Sequence, residues 1–390
     1  MPENYDGPSR PSFLQWVRGV VWSLVEYVRW CLTWQPPGTS PDDTTFDKCN
    51  TVEARLLVLG ASDTGKSTFM KQMRYVFGDT FPASERRRHL PYIRRNLLES
   101  VHKLVVAMDV LGVPYSTAAA QDAARRFVDM APLETFFSDD SPMDPTVVEE
   151  TQTLWADEGV QEVFRRGNEY HLITNADHFI TSAARILHYD YLPSIDDILR
   201  MRYPTRCSVT STYDVGEMRM MMHDMGGERA ARGEWVAHFP RPTAILFLAS
   251  LAEYDQHVEE AEREGEKKNR VQESLDIFEA VLEYPPFHNS PVILLLNKSD
   301  IFKKKIIYHS LAHYFPQYDV THSPTPAGPD GDEDKGREFL SGLYERLAVR
   351  HGRHYVSRFT EATNTENFNS IFSFVKNIVS RNMISRGGLL

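Results

Sequence analysis

The stretch GASDTGKST, residues 60–68, lies between an apolar run, Leu56 to Leu59, and the run FMKQMRYVF. It matches the pattern G-x-x-x-x-G-K-[ST] without a gap, through Gly60, Gly65, Lys66 and Ser67. The two glycines let the backbone wrap its amides around phosphate oxygens, because a Cβ would block that conformation. The lysine adds positive charge for the β and γ phosphates, and the serine hydroxyl is a possible Mg²⁺ ligand. A nucleoside triphosphate site is therefore expected, with the base still open.

The motif requires a strand before it and a helix after it, and both neighbours fit. Residues 54–60, ARLLVLG, are typical of a buried strand, and residues 67–77, STFMKQMRYVF, are typical of a helix. A helix that begins near Lys66 would point the positive end of its dipole at the bound anion.

Composition and charge narrow the class of protein. The chain has 390 residues, enough for two domains, and its 42% hydrophobic and 25% charged residues are ordinary for a folded protein. A net charge of −11 argues against non-specific binding to nucleic acid, so no nucleic-acid partner is expected. The cysteines, Cys31, Cys49 and Cys207, show neither metal-binding spacing nor a disulfide framework, which fits a reducing compartment.

The chain changes character along its length. Residues 35–50 are expected to form a linker, and residues from about 80 to 195 are helical in pattern, including the stretch 147–167. Strand-like runs follow after residue 205, namely SVTSTYDV, MRMMMHDM, TAILFLAS and PVILLLNKSD, and helical patterns alternate with them. This order predicts an α/β fold with a parallel sheet and an inserted helical domain. Residues 319–339, rich in Pro, Gly and acidic residues, are expected to form a long exposed loop.

The sequence LLLNKSD, residues 294–300, indicates which base is bound. Asp300 can accept hydrogen bonds from guanine N1–H and its 2-amino group, whereas adenine would leave this carboxylate unpaired. The stem of Lys298 can cover the base, and Asn297 can tie this loop to the loop of residues 60–65, the phosphate loop. Within TEAT, residues 360–363, the Ala362 amide could reach the guanine oxygen. GTP or GDP is therefore the expected nucleotide, and an unrelated ATPase or kinase is the disfavoured alternative.

At this point the sequence resembles the α subunits of heterotrimeric G proteins, over roughly residues 52–390. DDILRMRYPT (196–205) looks like the first switch of that family, and HDMGGERAARGEWVAHF (223–239) resembles the second. LWADEGVQEVFRRGNEYHL (154–172) is similar to its inserted domain. The resemblance implies a Ras-like P-loop GTPase domain interrupted by an all-helical domain.

The resemblance also implies boundaries and a function. An N-terminal amphipathic helix and linker would occupy residues 1–50, the GTPase domain residues 51–78 and 197–390, and the inserted helical domain residues 79–196. The family's function is a GTP/GDP switch that hydrolyses GTP, downstream of a seven-helix receptor, and that binds a βγ complex at the cytoplasmic face of the plasma membrane.

The resemblance also implies roles for the residues at positions that match the family's motifs. Arg202 matches the built-in arginine finger, which neutralises charge on the transferring phosphoryl group. Thr205 would complete the Mg²⁺ shell with Ser67, Asp224 would hold a Mg²⁺ water, and the Gly227 amide would sense the γ phosphate. The full expected nucleotide-binding set is Gly60, Asp63, Thr64, Gly65, Lys66, Ser67, Thr68, Leu199, Arg200, Arg202, Thr205, Asp224, Gly227, Asn297, Lys298, Asp300 and Ala362.

Two departures lie close to the chemistry. Asp63 stands where the family usually has Glu, and it could still pair with Arg202. Glu228 stands where the family has its water-positioning Gln. An ionised Glu offers only acceptors, whereas Gln also donates, although a protonated Glu could mimic Gln. We expect Glu228 to alter GTP hydrolysis, making it slower rather than faster, while GTP binding stays intact. The alternative is that the substitution is tolerated. The alternative function is a GTP-binding signalling scaffold with weak or lost hydrolysis.

Other departures concern partners. Pro2 and Glu3 replace the Gly and Cys that carry N-terminal lipids in many family members. Gly233 and Glu234 stand in the second switch where the family is usually basic, which weakens the expected βγ contact. In the C-terminal tail, Gly387 replaces the Cys that a subset of the family has there. The last two residues, both leucine, keep the apolar end that resembles the receptor-docking tail.

Residues 13–34, FLQWVRGVVWSLVEYVRWCLTW, are the part least like the family. On a helix their polar residues fall on one side, opposite a wide face rich in Trp, Val and Leu. Such a helix is typical of the membrane interface, where it could replace the missing lipid, helped by acylation of Cys31. A helix packed on protein is one alternative, and a membrane span is disfavoured by three charges within it.

Overall fold

The computed structural model describes residues 52–129, 145–203, 209–225, 242–258, 267–318 and 333–386. In this part of the chain six strands form one sheet, and their bounds are Val52–Leu59 (β1), Val209–Val215 (β2), Met218–Asp224 (β3), Ala244–Ser250 (β4), Val292–Asn297 (β5) and Tyr355–Phe359 (β6). Their order in the sheet is β2-β3-β1-β4-β5-β6.

Five of these strands are parallel, as predicted, and β2 is the exception. It runs antiparallel to β3, with Val215 opposite Met218. Only Gly216 and Glu217 join the two strands, and Gly216 adopts a left-handed φ of 66°. Antiparallel strands are the ones that a two-residue turn can connect, so this edge of the sheet is a hairpin.

Between β1 and β2 the described residues form helices and no strand. Their bounds are Lys66–Phe77 (α1), Ala83–Arg88 (α2), Leu90–Leu111 (α3), Ala118–Asp129 (α4), Pro145–Trp155 (α5), Glu158–Arg165 (α6), Ala176–Thr181 (α7), Ala183–Ile186 (α8) and Ile195–Arg200 (α9). The second half adds Arg270–Glu283 (α10), Ser299–Lys305 (α11), Leu311–Tyr314 (α12), Glu333–Arg350 (α13) and Thr365–Arg386 (α14). Short 3₁₀ turns lie at Gly167–Glu169, Leu251–Glu253 and Pro285–Phe287.

Both faces of the sheet are covered by helices. Alternate residues of β1 point in opposite directions, so Leu56 packs with α1 and α14, whereas Leu57 packs with α10 and α13. Every residue of β4 and β5 is buried, which explains their continuous apolar sequences. A separate core fills the helical block, built around Ile93 and Leu97 of α3 and Phe179 of α7.

The helical pattern at 147–167 agrees with the structure, where it is divided between α5 and α6, because Asp157 accepts hydrogen bonds from the amides of Gly159 and Val160 and starts a new helix. The loop predicted over 319–339 was wrong for residues 333–339, which lie in α13, a helix with acidic residues in its first turn. Gly336 lies inside α13, where a Cβ would be 2.6 Å from Ile306 Cδ1, so the glycine serves close packing.

Within the described residues, no helix combines the length and apolar character that crossing a membrane requires. The stretch 13–34 lies outside these residues, and its membrane role stays a prediction.

Candidate nucleotide site

The site lies at the carboxyl end of the parallel strands, where ligands bind in open α/β sheets. The loop of residues 60–65 leaves β1 there, Asp224 ends β3, and Asn297 ends β5. The cleft at this edge is lined by the phosphate loop, by Lys298, and by residues 171–175 of the helical block. Nucleotide-binding candidates from distant parts of the chain thus meet in one cleft.

Backbone geometry explains both glycines of the motif. Gly60 has a φ of 145°, and a Cβ on it would lie 2.2 Å from the carbonyl oxygen of Leu248 in β4. Gly65 has a φ of 99°, and a Cβ there would lie 2.2 Å from Asn297 Nδ2. Asp63 between them is left-handed as well, with a φ of 61°. Only glycine fits the two end positions, since one meets backbone and the other meets a buried side chain.

The phosphate loop ends where α1 begins. Gly65 precedes the first turn of α1 and has no side chain to cap its amides, which leaves the positive end of the helix open to an anion. Lys66 is 5% exposed, and its Nζ donates to the carbonyl oxygens of Gly60 at 2.9 Å and Ala61 at 2.6 Å. Thr64 is buried and donates to Ala61, which closes the loop. Positive charge and amides are therefore concentrated at the place expected for the phosphates.

Ser67 and Asp224 form the part of the site that suits a divalent cation. Ser67 Oγ donates to Asp224 Oδ2 at 3.4 Å, so the hydroxyl and the carboxylate are adjacent. Asp224 is 4% exposed, and its Oδ1 has no hydrogen-bond partner within the described part of the chain. Burial raises the pKa of Asp224 to about 6, against the opposing pull of Lys66, Ser67 and Lys71. Hard oxygen ligands and a buried, incompletely paired carboxylate fit Mg²⁺.

The side chain of Asn297 joins the end of β5 to two loops. Its Nδ2 donates to Thr64 O at 2.9 Å, and its Oδ1 accepts from Thr360 Oγ1 and from the Ala362 amide, each at 3.0 Å. The expected tie between this strand end and the phosphate loop is present. The Ala362 amide already donates to Asn297, so a guanine oxygen would have to share that donor. Asp300 lies half-buried in the first turn of α11. The pKa of Glu361 is raised, mainly by burial and further by the negative charge of Asp300.

A row of alternating charges runs along the cleft. Arg202 donates to Asp63 Oδ2 at 2.6 Å, and Arg270 approaches the same oxygen at 3.2 Å. Glu253 lies 3.7 Å from Arg270 and accepts from Lys298 Nζ at 2.8 Å. Burial alone would raise the pKa of Asp63, but the two guanidinium groups and Lys298 outweigh it and hold that pKa well below its usual range. Asp63 therefore stays ionised and pairs with Arg202, as its position suggested.

Residues before Arg202 contact the phosphate-loop helix. Thr68 Oγ1 donates to Leu199 O at 3.0 Å, and the Lys71 ammonium donates to Ile198 O at 2.9 Å. Arg200 pairs with Asp196 one turn earlier and lines the cleft. The three predicted residues Leu199, Arg200 and Arg202 thus lie beside the site.

Several predicted residues lie outside the described part of the chain, and their roles stay predictions. They are Thr205, Gly227, Glu228, Gly233, Glu234 and Gly387, together with the N-terminal residues Pro2, Glu3 and Cys31 and the two C-terminal leucines.

Sequence reasoning missed Glu253, Arg270 and Lys71, and also Asn96 of α3, which forms hydrogen bonds to the Arg202 backbone. Glu253 had a usable signal, because it follows the end of the wholly buried strand β4 and the carboxyl ends of the strands lie at this cleft. The other three lie inside helices among ordinary polar residues, and nothing in their local sequence marks them.

A family model for the G-protein alpha subunit matches residues 40–379. The match spans most of the chain and includes every described residue that lines the cleft. The chain therefore belongs to the G-protein alpha subunit family, and it is a guanine nucleotide-binding signal transducer. Members of this family are generally GTPases that use Mg²⁺.

Proposed function

We propose that this chain is a GTP/GDP switch that hydrolyses GTP with Arg202 as its own arginine finger. The observation that carries the proposal is the ion pair between Arg202 and Asp63, 2.6 Å long, which holds the guanidinium against the phosphate loop. Lys66 lies in the same loop, so two positive side chains face the place where charge develops on the γ phosphate.

Each residue of the site is assigned a role, which its contacts support where the structure describes them. The amides of the loop bind the phosphates, Asn297 holds that loop against the base-reading loops, and Asp300 selects guanine. Ser67 and Thr205 would bind Mg²⁺ directly and Asp224 through water; bound there, the ion neutralises charge on the β and γ phosphates. Arg202 leaves Asp63 for the γ phosphate, and the pairing of Asp63 with Arg270 keeps Asp63 from being left without a counter-charge.

Glu228 decides how fast the switch turns off. Beside the γ phosphate, its carboxylate would repel the nucleotide and could not donate to it, so we propose hydrolysis slower than with Gln. The test is single-turnover GTP hydrolysis with Mg²⁺, comparing the native protein with Glu228→Gln, and ATP competition establishes the base preference. A rate that rises on restoring Gln supports the proposal; an equal rate would show that Glu228 is a working substitute.

Glu228 also favours a second candidate function, a GTP-binding scaffold that stays in its GTP state. The same experiment separates the two, because a scaffold binds GTP and keeps it intact over many minutes. If hydrolysis appears only in Glu228→Gln, the native chain must be turned off by another protein.

We further propose the domain division 51–78 and 197–390 for the GTPase domain, with residues 79–196 inserted. In support, every described strand lies in 52–59 or 209–359, whereas the described elements of 83–200 are all helices. A βγ partner, a receptor and a place at the cytoplasmic face of the plasma membrane are proposals that rest on the family. Peripheral attachment through residues 13–34 is a proposal that rests on the wide apolar face of that stretch. Pull-down with a βγ complex in GDP and in GTPγS tests the partner.

A further inference from the structure

The backbone that leads from α9 to Arg202 is bound by side chains at every carbonyl. Carbonyls at the end of a helix lack partners within it, and water usually satisfies them. Here the donors are Lys71 to Ile198 O (2.9 Å) and Met201 O (3.1 Å), Thr68 to Leu199 O (3.0 Å), Asn175 to Arg200 O (3.1 Å) and Asn96 to Arg202 O (3.1 Å). Two of these side chains belong to α1, and two belong to the helical block.

Asn96 is the donor that binds Arg202 itself. Besides donating from Nδ2, it accepts from the Arg202 amide through Oδ1 at 2.7 Å. One side chain therefore holds the N–H and the C=O of the same residue, which restrains the backbone on both sides of its Cα. Asn96 is 7% exposed, so water does not compete for these bonds, while the Arg202 side chain remains 39% exposed and free to reach across the cleft.

The start of α9 is fixed as well. Asp197 is fully buried and accepts hydrogen bonds from Arg185 at 2.6 and 2.8 Å, from Tyr191 at 2.6 Å and from His178 at 2.9 Å. It also forms a capping box with Ser194. Because α9 is anchored at its first turn, restraint of its last carbonyls is passed on to Arg202.

Burying Lys71 is unfavourable, because desolvation disfavours its charged form and lowers its pKa to about 8. The end of α9 is buried, with Ile198 fully buried and Met201 7% exposed, so its carbonyls take protein donors in place of water. These donors also restrain the backbone before Arg202, which matters for catalysis because an arginine that is misplaced by about 1 Å can lose about a hundredfold in rate.

We propose that Asn96 is a positioning residue for Arg202 in GTP hydrolysis, with Lys71, Thr68 and Asn175 holding the preceding backbone. The proposal rests on the proposed catalytic function of Arg202. Asn96 contacts neither nucleotide nor metal ion in this role; it acts through the Arg202 backbone.

A double-mutant cycle in the full chain tests it. Asn96→Ala, Arg202→Ala and the double variant are compared with native protein in single-turnover GTP hydrolysis, with native Glu228 and again with Glu228→Gln. Asn96→Ala is expected to lower the rate about tenfold, equivalent to about 1.4 kcal/mol in the barrier, with the affinity for GTPγS unchanged. In the Arg202→Ala background it should have no further effect. An equal loss in both backgrounds would overturn the positioning role, and an unchanged rate for Arg202→Ala alone would overturn the proposed function instead.

Asp157→Asn is the matched control, because Asp157 is a buried cap in the helical block, and its hydrogen bonds within the described part of the chain go to residues 116, 117, 159 and 160. It should destabilise the block and leave hydrolysis unchanged. Asn96→Asp keeps the shape and the acceptor but turns an oxygen toward Arg202 O, so it should lose rate like Asn96→Ala. Hydrogen exchange in the GTPγS-bound protein gives a readout independent of hydrolysis. The Arg202 amide should exchange faster in Asn96→Ala than in Asp157→Asn, and equal exchange would refute the hydrogen-bonded restraint.

Discussion

Replacing Asn297 by alanine should destabilise the whole nucleotide-binding edge of the sheet. The amide makes three hydrogen bonds of 2.9–3.0 Å, to Thr64, Thr360 and Ala362, and the residue is 2% exposed. Each buried bond contributes about 1 kcal/mol net, and water cannot readily replace the lost partners. Asn297→Ala should therefore lower the free energy of unfolding by about 3 kcal/mol.

Thr360→Val is the matched comparison for this variant. It removes only the bond from the Thr360 hydroxyl, keeps the shape of the side chain, and leaves the other two bonds of Asn297 in place. Its expected cost is about 1 kcal/mol. Urea unfolding of nucleotide-free protein, followed by circular dichroism, measures both values. If Asn297→Ala costs no more than Thr360→Val, the amide does not hold both loops at once, and the joining role assigned to it is wrong.

Three further predictions concern single side chains. Gly60→Ala should lower the free energy of unfolding by at least about 3 kcal/mol and abolish GDP binding, because its Cβ would lie 2.2 Å from a backbone oxygen of β4. The control is Gly112→Ala, at a left-handed glycine with open space around it, which should cost about 1 kcal/mol and keep GDP binding. Asp63→Asn removes the carboxylate between two guanidinium groups and should destabilise the nucleotide-free protein by about 1 kcal/mol at low salt, an effect that urea titrations in high salt should diminish. Burial lowers the pKa of His89 from 6.5 to about 4, so the unfolded chain binds the proton more tightly and stability should fall as pH drops from about 6.5 to about 4. His89→Gln should remove that part of the pH dependence in urea titrations at pH 7 and pH 5.

The sequence predicted the elements whose chemistry demands particular residue types. The phosphate loop needs glycine at both ends, and the base-reading loop needs Asn297 and Asp300 after an apolar strand, so both were recognisable. Buried parallel strands carry continuous apolar runs, and β4 and β5 could be located from those runs. The family match over residues 40–379 confirms the fold class that these motifs predicted.

The pairing of Arg202 with Asp63 was expected from the family resemblance, but the contacts to the Arg202 backbone were not predictable in this way. Asn96 lies 106 residues before Arg202, and its role depends on how the helical block folds back on the sheet. Its partners are a backbone amide and a backbone carbonyl, neither of which leaves a spacing pattern in the sequence. The start of α13 at Glu333 was missed for a related reason. A Pro/Gly-rich composition masked an acidic first turn whose packing partners lie in α11.

Arg202 is held from two sides by different parts of the chain. The helical block holds its backbone through Asn96, and the phosphate loop holds its guanidinium through Asp63. The backbone just before Arg202 is also held from the other wall of the cleft, by Lys71 and Thr68 of α1. A motion that separates the helical block from the sheet must therefore break the bonds from Asn96 or those from α1. Either loss releases one side of the backbone that carries Arg202 and lets the guanidinium shift relative to the phosphate loop. On this geometry, the proposed hydrolysis requires a closed cleft, because the position of Arg202 depends on donors from both walls of the cleft.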